Sequence, residues 1–136
     1  MNKRKILTLI LVLFANRNFA NFKDIKEPRA ELFYTGLVTT TTSVSCQDFE
    51  EYMGESIEKK KLSVKQTKLL YSKVMRNLSP QKIYKGRAID VRTKVVFSNI
   101  NKKTVTVCMD NFYIQVNDKT YNIDKNLRDY IKRLTK

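Results

Sequence analysis

Nine residues set the architecture. From Ile89 to Phe97, Ile89, Val91, Thr93, Val95 and Phe97 alternate with Asp90, Arg92, Lys94 and Val96. A period of two sends neighbouring side chains to opposite faces of a strand, so one face enters a core while the other is mostly charged. A strand with that pattern belongs in an antiparallel sheet with one solvated or covered face.

The residues that follow extend the sheet. Ser98–Lys103 reads as a turn, Thr104–Met109 as a returning strand carrying Val105, Val107 and Cys108, and Phe112–Val116 as a third strand. Asn117-Asp118-Lys119 closes a tight hairpin, because Asn and Asp tolerate left-handed backbone angles. Thr120–Ile123 returns. Asp124 then caps a helix with Leu127, Tyr130, Ile131 and Leu134 on one face.

Upstream, Glu31–Val44 is rich in Thr, Val, Phe and Tyr and predicts a strand, with Gly36 marking a bulge. Ser45 caps a helical turn through Cys46–Met53 with Asp48 as its box partner, and Gly54 stops it. Residues 55–62 fit either a short edge strand guarded by lysines or a solvated loop. Ser63 is an N-cap for a helix to Leu78, whose stripe is Leu70, Val74 and Leu78 joined by Leu69 and Met75. Ser79-Pro80 ends it. The expectation is an α+β domain: an antiparallel sheet of about four to five strands, with a central helix and a C-terminal helix packed on one face.

The N-terminal end reads as an address. Lys3-Arg4-Lys5 precedes an apolar run from Ile6 to Ala15, and a polar stretch ends at Ala20. That order describes a secretory signal peptide over residues 1–20, cut after Ala20 or, as the alternative, after Ala15. The run is about half the ~20 residues a spanning helix needs, so no stable transmembrane anchor is expected after cleavage. Residues 21–30 form a polar lead-in, and 31–136 a single domain. The expected location is secreted or periplasmic.

Export changes what two cysteines mean. Cys46 and Cys108 are the only pair. In an oxidising compartment such a pair forms a bridge, and the chain-entropy treatment gives a loop of this length about 4 kcal/mol.

Charge comes next. The chain carries 27 Lys and Arg against 13 Asp and Glu, a formal net charge of +14. Without Lys3, Arg4, Lys5 and Arg17 the balance is 23 against 13, or +10. Such a charge attracts nucleic acid or acidic glycan. The candidate polyanion-binding residues are Lys59, Lys60, Lys61, Lys82, Lys85, Arg87 and Arg92. A bland reading competes, because 19 of the 27 cations are lysine, a solubilising point charge, whereas planar phosphate recognition favours Arg. Tyr84, Phe112, Tyr113, Tyr121 and Tyr130 near basic residues are candidates for stacking bases or sugars, and equally for sheet packing.

Catalytic chemistry has few carriers. The chain has no His, which removes imidazole bases, His-activated nucleophiles and His metal ligands. It holds no phosphate-binding glycine loop, and its residues call for no cofactor and no metal. Asp48, Glu50, Glu51 and Glu55 are the densest acidic group, and paired carboxylates are what glycoside hydrolysis uses. A solvated turn explains them as well. Asp90, Arg92 and Lys94 share a strand face, where a ladder of charged pairs competes with phosphate binding. Asn77-Leu78-Ser79 fits the glycosylation pattern, followed directly by Pro80.

No catalytic residue is assigned. The expected function is a non-enzymatic binding or interaction module that meets a protein or envelope component. The alternatives are a polyanion-binding protein and a His-free hydrolase working through carboxylates.

Overall fold

The computed structural model describes residues 26–36, 42–78, 83–85 and 88–136. The expected signal peptide and the first half of the expected polar lead-in, residues 21–25, lie outside them, as do Lys82, Arg87 and residues 37–41.

The sheet is built outward from a hairpin. β4 (Thr93–Ile100) and β5 (Lys103–Met109) pair antiparallel with Val95 opposite Val107. Asn99, Asn101 and Lys102 at the reversal adopt positive φ, where short polar side chains lower the cost of left-handed backbone. β5 pairs with β6 (Tyr113–Val116), and β6 with β7 (Lys119–Asn122). Asn117 and Asp118 between them have φ of 49° and 60°, the double left-handed geometry that a two-residue hairpin selects. β1 (Arg29–Thr35) lies on the other side of β4, β2 (Ile57–Lys61) forms one edge, and the two-residue β3 (Tyr84–Lys85) forms the other. The order is β2-β1-β4-β5-β6-β7-β3, with every pairing antiparallel. Six strands have four or more residues, slightly above the expected four to five.

Two expected boundaries move. β1 starts at Arg29, inside the expected lead-in, and ends at Thr35, so Gly36 follows the strand rather than bulging it. The alternation from Ile89 survives as burial all the way to Phe97, but the ladder begins only at Thr93. The Val91 N–H is donated to the Val44 carbonyl instead, drawing residues 89–91 out of the sheet.

The two long helices lie together on one face. Helix α1 (Phe49–Met53) is short; α2 (Val64–Leu78) and α3 (Lys125–Leu134) form the layer. Leu70 and Val74 of α2 and Leu127, Ile131 and Leu134 of α3 pack on Leu32, Val95, Phe97, Val107, Met109 and Ile114. A fully buried Leu or Phe contributes about 1.5–3 kcal/mol, so this layer is the main source of stability. The buried face of α2 is Thr67, Leu70, Val74 and Asn77. Leu69 and Met75, expected in the stripe, face solvent, because they stand about 100° of helix rotation from its centre.

Capping fixes both helix starts. Ser63 Oγ accepts the Gln66 N–H while Gln66 Oε1 accepts the Ser63 N–H, a full capping box on α2. Asp124 Oδ1 accepts the Leu127 N–H at 2.7 Å to cap α3. Asn77, at the end of α2, joins the two helices. Its Nδ2 donates to the Lys73 carbonyl at 2.9 Å, and its Oδ1 accepts the Asp124 N–H at 2.7 Å.

The opposite face carries a smaller cluster. Phe33, Val44, Phe49, Met53, Ile89, Val91 and Cys108 pack there beneath α1. Ser45 Oγ accepts the Asp48 N–H as a cap should, but Asp48 takes the Ser45 hydroxyl at 2.6 Å instead of reaching back to its N–H. Gly54 ends the turn at φ 48°.

Candidate functional site

The disulfide forms as the sequence predicts. Cys46 and Cys108 are bonded, 5.7 Å apart at Cα and 62 residues apart in sequence, and Cys108 is fully buried. The bridge fastens the α1 segment to β5 at the centre of the sheet. Among the described residues, no helix is long and apolar enough to cross a membrane.

The expected cations do not gather in one place. Lys59, Lys60 and Lys61 stand on edge strand β2, while Lys85 belongs to β3 at the far edge, roughly 29 Å away at ~4.8 Å per strand step. Two of the three β2 lysines have structural partners. Lys59 Nζ lies 5.3 Å from the centroid of the Phe33 ring, and Lys60 Nζ donates to the Leu134 carbonyl at 2.8 Å, at the C-terminal end of α3 where a cation is favoured. Lys61 sits opposite Glu31.

Arg92 stands elsewhere, at the mouth of a cleft. The cleft opens at one end of the sheet, where β1 and β5 finish and β4 begins, and α3 forms its other wall. Its volume is about 710 Å³. Four cations line it: Arg92, Arg128, Lys132 and Lys136. Asp110, the one carboxylate in the lining, is engaged by the Phe112 and Tyr113 N–H groups, each at 2.6 Å. Arg92 Nη2 pairs with Asp90 Oδ2 at 2.5 Å, and Asp90 Oδ1 accepts the Val44 N–H. The lower wall is apolar, from Met109, Ile123 and Ile131.

Two polar atoms of this lining are buried without a partner: Thr35 Oγ1 and Arg128 Nε. The rest of the Arg128 guanidinium is held only at 3.4 Å from the Ile123 carbonyl. A buried donor left unpaired costs about 1–3 kcal/mol, and a charged one more. Both residues line the cleft, but these two atoms are themselves closed off from solvent, so the charge offered to the cleft is that of the four cationic side chains. Electrostatically and by donor inventory, the cleft suits an anion.

Of the four cations lining the cleft, Arg92 is among the residues the sequence singled out, and Arg128, Lys132 and Lys136 are not. Their i, i+4, i+8 spacing was the available signal. It runs beside the apolar Leu127, Ile131 and Leu134, so it reads equally as the solvated face of a core helix.

The acidic group is taken up by local structure. Asp48 bonds Ser45, and Glu50 Oε1 receives Lys94 Nζ at 2.7 Å. The Lys94 hydrogen bond holds the Glu50 carboxyl below its ordinary pKa. That favours permanent ionisation, opposite to what a general acid needs. Glu51 and Glu55 are exposed. Among the described residues, no three His, Cys, Asp or Glu side chains converge as a metal site. Asn77 is 1% exposed and bonded at both ends of its carboxamide, so the folded domain does not offer it for glycosylation. Of the aromatic candidates, Tyr121 and Tyr130 are buried in the helix-covered core, whereas Tyr84, Tyr113 and Phe112 form a contiguous set.

Comparison with protein-family models, curated proteins and solved structures found no match.

Proposed function

We propose that the protein is a non-enzymatic binding module acting outside the cytoplasm, and that its ligand is a polyanion held in the cleft between α3 and the end of the sheet. The observation that carries this reading is that Arg92, Arg128, Lys132 and Lys136 line one cleft whose single carboxylate side chain is already taken up by backbone N–H groups. Net charge alone speaks only to non-specific attraction, whereas a walled cleft supplies a place and a geometry. The leader-like residues 1–20 and the Cys46–Cys108 bridge support an oxidising, extracytoplasmic setting.

Heparin is a suitable first probe. Binding by the disulfide-intact protein is expected to weaken steeply with salt, because each neutralised charge releases counterions. Replacing Arg128 and Lys132 together with Gln removes half of the lining cations and is expected to abolish retention at moderate ionic strength. The same double substitution on Lys59 and Lys61 is expected to change retention little. Equal losses from both pairs would mean that the charge acts as a diffuse field and that the cleft is no site.

A further inference from the structure

We infer that the polyanion is a single-stranded nucleic acid, with its phosphates in the cleft and a base stacked on Phe112; this rests on the cleft reading above. Phe112 is 64% exposed, the largest exposure among the exposed large apolar residues of the described chain. A lone exposed apolar residue is ordinary. Phe112 differs because its backbone is fixed to the cleft on both sides. Its N–H is donated to Asp110, and its carbonyl accepts the Ile123 N–H at 2.9 Å, and both partners line the cleft. Its ring is backed by others. Tyr113 lies 6.5 Å from it, centroid to centroid, and Tyr84 meets Tyr113 edge-on at 6.1 Å. The backbone that carries the ring is therefore held in place before any ligand arrives.

A cationic groove joined to a segment that carries an exposed ring is the kind of arrangement that binds single strands without reading their sequence. A duplex keeps its bases stacked inside and offers nothing to the ring. An acidic glycan needs acceptors for its hydroxyls as well as donors for its charges. The one carboxylate side chain in the lining already accepts two backbone N–H bonds, so the charge that the lining side chains present to a ligand there is cationic.

The test is fluorescence anisotropy of the disulfide-intact protein with a labelled 20-nucleotide oligo(dT), a 20-base-pair duplex and heparin. Oligo(dT) is expected to bind more tightly than the duplex. Phe112→Ala is expected to weaken oligo(dT) binding roughly 5- to 100-fold, the range that losing one base–aromatic stack gives, while heparin binding holds. Phe112→Tyr retains the ring and is expected to retain the affinity. Arg128→Gln with Lys132→Gln is expected to weaken both ligands. Unchanged oligo(dT) binding by Phe112→Ala overturns the inference, as does an equal loss for heparin. Heparin binding without oligo(dT) binding sinks the inference and leaves the cleft reading standing. Failure of both ligands removes both.

Discussion

Asn77 links the two long helices through one carboxamide, and its removal has a calculable cost. The side chain is 1% exposed. In Asn77→Leu the volume is kept and the hydrogen bonds are lost, which isolates the polar contribution. The Lys73 carbonyl lies inside α2, where helical bonding serves it, so losing the Nδ2 bond costs little. The Asp124 N–H has no such substitute at the first turn of α3 and is left unpaired in a part-buried position. That penalty is about 1–3 kcal/mol. Asn77→Ala adds an unfilled cavity, for a total of about 2–4 kcal/mol. Asp124→Ala alone costs about 1 kcal/mol through the lost cap on Leu127. The two sites share one network, so the double variant should fall short of additivity by at least ~0.5 kcal/mol. Urea unfolding at fixed protein concentration measures all three, with an unchanged denaturant slope expected if only stability moves. If Asn77→Leu unfolds within ~0.5 kcal/mol of the parent, the carboxamide is not holding the helices together and the reasoning fails.

Other outcomes follow from the same structure. Cys46→Ala with Cys108→Ala is expected to cost about 4 kcal/mol, read as a lower urea midpoint that reductant lowers no further. Ser63→Ala removes half of the α2 capping box and should cost about 1 kcal/mol by thermal denaturation. Glu50 has a folded-state pKa lowered first by the Lys94 hydrogen bond, so its stabilisation is present above the unfolded-state pKa and fades as pH falls through the lower folded value. Glu50→Gln should therefore be less stable than the parent near pH 7, by under ~1 kcal/mol given the exposure of Glu50, and the gap should close below about pH 4. A gap that widens in acid would reverse the assigned sign.

The α+β class was legible because period-two and period-3.6 patterns report burial directly. The nine residues from Ile89 kept their alternating burial even where no ladder forms. What the pattern could not show was partnership. Residues 89–91 leave the sheet because Val44, distant in sequence, accepts the Val91 N–H. The ambiguity over 55–62 resolves into edge strand β2, fixed by Lys60 on Leu134 and by Tyr34 donating to Glu58, contacts that no local window contains. Of the candidate cleft, one lining cation was legible in the sequence. Arg92 drew notice on a charged strand face, but α3's basic spacing acquires meaning only once the helix is laid across the end of the sheet.

The position of β1 has a consequence for synthesis. It is an interior strand, hydrogen-bonded on one side to β4, with Arg29 opposite Ser98. The first residues to emerge from the ribosome as part of this domain therefore wait for a partner nearly seventy positions downstream. Contacts so distant along the polypeptide slow the search for the native state. β2 offers β1 an earlier partner at residues 57–61, but the other side of the strand stays open until β4, ending at Ile100, has been made.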